Sequence, residues 1–290
     1  MRGVKGSKSP VGNGQPSLAL RSPVSAYLSS FRIRLMQNLQ YRIAAMAGLV
    51  TQFFWGFMII MIFEAFYRNS DASAPMSLSQ LASYVWLQQA FLVFVALWYR
   101  DSEIFGLITT GNVAYELCRP TNLYFFWHVR LLAQRISGAA LRCLPILVVA
   151  MLLPDPYRLV LPTDPGTFLL FLTTLLLGVI VNVSISMFIY ILTFITLSPI
   201  GSLMVIGTIG EFCSGMIIPI PLMPDWLRGL VMLLPFRLAG DLPFRTWSGH
   251  IGHREALLGI VTQLVWLLVL VGFGQLARRK VLNRAVLQGG

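Results

Sequence analysis

One carboxylate interrupts a long apolar run: Glu211, in Gly207-Thr-Ile-Gly210-Glu-Phe-Cys-Ser214-Gly215. A charge inside lipid is expensive, so an ionisable residue there is by default a functional candidate, either touching cargo on a path or carrying a proton. Gly210 and Ser214 are four apart and would let another helix approach closely beside it. A carboxylate hydrogen-bonded to that helix, or lying near the surface, is the simpler reading of the same pattern. Arg142 lies about one turn inside its apolar run and Glu64 ends another, both placed to snorkel or be solvated.

Other constellations point less far. His250-Ile-Gly-His253-Arg-Glu255, near Asp241, has two histidines three apart and a carboxylate, which could bind zinc. Gly252 weakens a helix there and no His-Glu-x-x-His pattern is present, so a solvated loop without metal is expected. No Ser/His/Asp arrangement suits hydrolysis. Gly6-Ser-Lys8-Ser lacks the first glycine of a phosphate-cradling loop, so no ATPase motif is carried on this chain. Any driving energy would come from another chain or from an ion gradient. Cys118, Cys143 and Cys213 form no Cys-x-x-Cys pair and read as free thiols.

The elements holding these residues are helices in lipid. The chain is 56% hydrophobic and 11% charged, with mean hydropathy +0.73, whereas soluble domains carry about 25% charged residues. Apolar runs over 43–66, 81–99, 137–153, 168–197, 200–218 and 256–276 predict six spans of an all-α polytopic protein. Seven basic groups in residues 1–42, five in 100–142 and four in 277–290 face only Asp101, Glu103 and Glu116; the other loops are balanced. The positive-inside rule then places both termini in the cytoplasm of a plasma (inner) membrane protein, and lipid head groups account for the net charge of +11 without nucleic acid.

Residues 1–22, rich in Gly, Ser, Pro and Lys, read as a disordered cytoplasmic tail. Over 23–42, Val24, Tyr27, Leu28, Phe31, Leu35 and Leu39 recur at helical spacing, with Arg32 and Arg34 at the borders. This predicts an interfacial amphipathic helix whose arginines reach head groups. Residues 43–290 then form a single six-span domain.

Two further segments have their own grammar. Between the second and third spans, 101–122 reads helix, break, helix: Gly111 and Asn112 punctuate it, 113–118 makes a short apolar turn, and Pro120 stops it. Between the fifth and sixth, Pro219, Pro221 and Pro224 precede an apolar stretch over 225–234 that ends at Pro235. Ten residues cover roughly 15 Å, about half the hydrocarbon thickness, so this stretch must dip in and return on the outer side.

The amphipathic helix, the loop from Gly111 through Leu117, Arg119 and Pro120, and the Gly215 to Pro235 pattern with Trp226 resemble the type-two permeases of ATP-binding-cassette transporters, in their six-span bacterial branch. The resemblance covers about residues 24–285. It implies an exporting permease subunit, with Gly111, Asn112, Glu116, Leu117, Arg119, Pro120 and Asn122 on a coupling helix seated on a separate ATPase. It also implies two ATPase copies holding ATP and Mg, a second permease of the same or similar sequence, and no cofactor on this chain. Pro219, Pro221, Pro224, Trp226 and Pro235 become an outer gate of short re-entrant helices, and Glu211 a group on the path of a hydrophobic or amphiphilic cargo. A gradient-driven carrier with Glu211 protonatable is the alternative.

Overall fold

The computed structural model describes residues 23–40, 42–68 and 74–283, and the expected tail over 1–22 lies outside them. Among the described residues every regular element is a helix. Helix α1 (Pro23–Leu39) lies along α7 (Leu123–Met151), and α2 spans Arg42–Arg68. Four helices among the described residues are long and apolar enough to cross a membrane: α2 over Gly48–Arg68, α7, α8 (Pro165–Thr196) and α12 (His253–Leu282). Their starts are written locally. Asn122 and Asp164 cap α7 and α8 by accepting from the Tyr124 and Thr167 amides, and Pro165 opens α8 with the backbone angle a helix needs.

The second predicted run does not form one helix. Its first part is α3 (Leu78–Ala90), started by a reciprocal Ser77/Gln80 capping box. At Phe91 the backbone leaves the helical region, resumes for α4 (Leu92–Val95), and is extended by Ala96. The run contains neither proline nor glycine; the break is held from outside. Arg135 of α7, 1% exposed, donates from Nη1 to the carbonyls of Val93 (2.6 Å) and Ala96 (2.9 Å). Its Nη2 donates to Ser186 Oγ at 3.0 Å. Asn182 of α8 donates to the carbonyls of Phe94 (2.6 Å) and Val95 (2.9 Å). Broken backbone away from water is tolerated because these side chains satisfy it.

Two other expectations also change. The helix of the third run begins at Leu123 rather than 137, so Arg130 and Arg135 belong to α7 and not to a loop. Arg142 is therefore deep in the helix, nine residues before its end, and not one turn inside it. The fifth run is α9 (Pro199–Cys213), whose 15 residues extend about 22 Å, short of the roughly 30 Å hydrocarbon layer. Ser198 caps it, and a left-handed Leu197 (φ 50°) separates it from α8.

Helix α8 is the packing centre. Against it lie α12, α9, α7, the loop helix α5 (Ser102–Thr109), and the turn at Phe236–Leu238. Gly178 makes the last approach possible, since a Cβ there would sit 2.8 Å from the Leu238 carbonyl oxygen. Gln263 of α12 closes the same joint by donating to the carbonyls of Thr174 (2.7 Å) and Leu238 (2.8 Å). The segment predicted to dip after α9 consists of two turns, Ile220–Leu222 and Phe236–Leu238, and two short helices, the mostly exposed α10 (Asp225–Leu233) and α11 (Asp241–Trp247), which packs on α8.

Replacing Arg135 by leucine strands the Val93 and Ala96 carbonyls, at a cost on the order of 3 kcal/mol or more, and Asn182→Leu costs roughly 2 kcal/mol. Both losses are expected as earlier thermal unfolding of the detergent-purified protein followed by size-exclusion fluorescence. Wild-type melting of Arg135→Leu would contradict the role given to this side chain.

Candidate functional site

At one end of the bundle, α5 and α6 (Val113–Leu117) are fastened to the long helices by charge. Asp101 caps α5, its Oδ1 accepting the Glu103 and Ile104 amides at 3.0 and 3.3 Å. The same carboxylate receives Arg130 of α7, Nε at 2.5 Å and Nη2 at 2.7 Å, while its own amide donates to the Tyr190 hydroxyl of α8 at 2.9 Å. Arg130 also reaches Glu103 at 2.5 Å, and Arg34 of α1 pairs with Glu103 from the other side. The hydrogen bond from Arg34, helped by the Arg130 charge, holds the Glu103 carboxyl down at about 2. Arg34 was expected to reach head groups; its carboxylate partner claims it instead.

Residues 111–122 divide into an inner and an outer set. Gly111 takes φ +76°, a left-handed turn that glycine adopts without strain, and joins α5 to α6. Glu116 faces inward, accepting from Trp127 Nε1 at 2.5 Å, and Asn122 caps α7 while its amide donates to Tyr27 at 3.0 Å. Asn112, Leu117, Arg119 and Pro120 are exposed, with Arg119 held over the Phe126 ring at 5.6 Å. Tyr115 is 76% exposed and the most prominent apolar group of the turn, although sequence reasoning passed it over. Position within a short helix separates these sets: Glu116 lies about 100° around from both Tyr115 and Leu117.

Glu211 opens onto a cavity of about 710 Å³ bounded by α2, α3, α7 and α9. Thr51, Gln52, Gln88, Gln89 and Arg142 supply its other polar groups, and Trp55, Trp98, Met58 and Leu92 its apolar walls. Gln88 donates to the Met216 carbonyl at 2.6 Å, and Gln52 to the Gln89 carbonyl at 3.0 Å. The small residues beside Glu211 do admit a close neighbour: a Cβ on Gly210 would lie 2.1 Å from Leu97 of the segment after α4. Glu211 itself has no ion pair or side-chain hydrogen bond to that neighbour among the described residues.

Beyond the cavity, Gly215 turns the chain with φ +82°, and the Tyr84 hydroxyl donates to its carbonyl and to the buried Asp241, each at 3.3 Å. Pro219, Pro221 and Pro235 are buried in this joint, whereas Pro224 and Trp226 are exposed, Trp226 by 71%. Leu230 and Leu233 extend that apolar face along α10. The two histidines part company: His253 opens α12 and meets Asp164 (3.2 Å) and Thr167 (2.9 Å), while His250 sits at the Arg245 turn. No three metal-ligating side chains gather among the described residues.

The model of the ABC-2 family transporter proteins matches residues 39–289. No individually curated protein matches the sequence. With nearly the whole helical body inside that match, and four helices fit to cross a membrane, the chain is a multi-pass membrane permease that belongs to the ABC-2 transporter family.

Proposed function

We propose that this chain is the membrane subunit of an exporter driven by a separate ATPase, paired with a second copy or a similar permease and served by two ATPase subunits that hold ATP and Mg. Helices α3–α4 and α9, continued by 214–224, complete six crossings with the four long helices. Both termini and the α5–α6 end then lie in the cytoplasm of the plasma membrane, the orientation that the basic tail and last turn favour.

The observation that carries this reading is the build of α6: exposed on one side through Tyr115, Leu117 and Arg119, and tied on the other to α7 by Glu116 and Trp127. A partner pressing on that face acts on α7 directly, and through Asp101 and Glu103 on α8 and α1 as well. Cargo enters from the cytoplasm or inner leaflet, passes the cavity with Glu211, and leaves past the buried prolines of the re-entrant segment. The mostly apolar walls of that cavity suit a hydrophobic or amphiphilic molecule.

Co-expressed with its ATPase, the Tyr115→Ala/Arg119→Glu variant is expected to lose about 30-fold in affinity for that subunit while the permease stays monodisperse. Undiminished co-purification would remove the coupling role of α6. Glu103 provides a pH check. Its folded pKa is depressed from 4.5 to about 2, so its contribution is present above pH 4.5 and is lost as pH falls through about 2. ATPase association should therefore show no step from this group between about pH 5 and 8, whereas Glu103→Gln weakens it throughout that range. In inverted vesicles, Glu211→Gln is expected to lower ATP-driven transport by about tenfold or more. Flux that instead persists without ATP, follows a proton gradient and is lost in Glu211→Gln would establish the gradient-driven carrier.

A further inference from the structure

The polar groups of the cavity are not satisfied by one another. Among the described residues, neither the buried Arg142 Nε nor the buried Gln52 Oε1 has a hydrogen-bond partner. Arg142 and Glu211 share the cavity with opposite charges, and neither has an ion pair among the described residues. A buried donor and acceptor left open, beside a cation and an anion left unpaired, make a site complementary to a ligand carrying both signs.

The cavity also has a direction. A second hollow of about 500 Å³ shares Ile59, Ile62 and Ile217 with it and continues between Phe63, Phe66 and Leu222 with almost wholly apolar walls. Polar and charged groups therefore occupy one end of a continuous groove and aliphatic and aromatic groups the other, the shape of a head and a tail.

We propose that this groove holds one zwitterionic amphiphile. Its phosphate or carboxylate lies on Arg142, its ammonium group on Glu211 and the Gln52 oxygen, and its chain along Ile59, Ile62 and Phe63. The inference rests on the reading of the cavity as the transport path and names the cargo class for it. A bilayer phospholipid resident in the groove would have the same chemistry, and nucleotide separates the two sources: ATP empties the groove of a cargo but leaves a resident lipid in place.

The test uses the full chain in neutral detergent, with and without its ATPase, and a lysophosphatidylethanolamine whose tail carries a photoreactive group. Labelling of the peptide containing residues 59–66 is expected. Unlabelled lysophosphatidylethanolamine should compete roughly tenfold better than monoacylglycerol or an anionic lysophosphatidylglycerol, since each charge-assisted contact contributes on this scale. Arg142→Gln should lower labelling by about tenfold, Arg142→Lys should retain most of it, and Glu211→Gln should abolish the preference over the anionic lipid. Equal competition by the neutral lipid in the wild-type protein overturns the proposal without recourse to any variant. So does disulfide cross-linking of Ile59→Cys between two copies that excludes the label, because the groove is then an interface. Charge-selective labelling with no ATPase association would leave the site standing and remove the exporter reading; ATP-driven transport without such labelling would do the reverse.

Discussion

The architecture depends on how the carbonyls of a twice-interrupted helical run, broken at Phe91 and again at Ala96, are satisfied where water is scarce. Residues 91–96 leave the helical path with neither proline nor glycine to cause it, and their carbonyls are taken up by Arg135 and Asn182 from two different helices. That clasp joins α7 to α8 through the broken segment, five residues before Asp101 caps α5. Leu97, just past the break, fills the space that Gly210 leaves open on α9. Burying an arginine completely is costly on its own, and here the cost is offset by three backbone and hydroxyl acceptors arranged around one guanidinium.

Much of this body was legible in the sequence, because the signals involved are local. Long apolar runs marked α2, α8 and α12, and the proline spacing marked the segment of short helices between α9 and α12. Gly111 and Pro120 bracketed α6. What escaped was tertiary. The broken second run has no local breaker, and the reason for the break is written 40 residues later in Arg135 and nearly 90 later in Asn182. Asn182 is a polar residue inside an apolar run, a readable signal, whereas Arg135 stands two residues before the apolar run over 137–153 and so reads as loop.

The candidate site divides in the same way. Spacing picked out the loop over 101–122 but could not tell that Glu116 turns inward to Trp127 while Tyr115 turns outward, since one helical turn presents every direction. Glu211 was found because it is rare, whereas its partners in the cavity were hidden. Glutamines on α2 and α3 look unremarkable singly, and Arg142 reads as close to a surface because the apolar run around it starts 14 residues after α7 does.

Helix α7 carries Arg130, Arg135 and Arg142 in turn: the first in the ion-pair cluster, the second in the clasp, the third in the cavity. The twelve helical steps from first to last make a rod of roughly 18 Å with fixed rotational phase. The three stations are therefore geared together, because a screw motion imposed at Arg130 turns Arg142 through the same angle. Adding a single residue between Arg135 and Arg142 would put the far station about 100° out of phase while leaving the near two engaged. The number of residues separating these arginines thus acts as a mechanical specification as much as a chemical one.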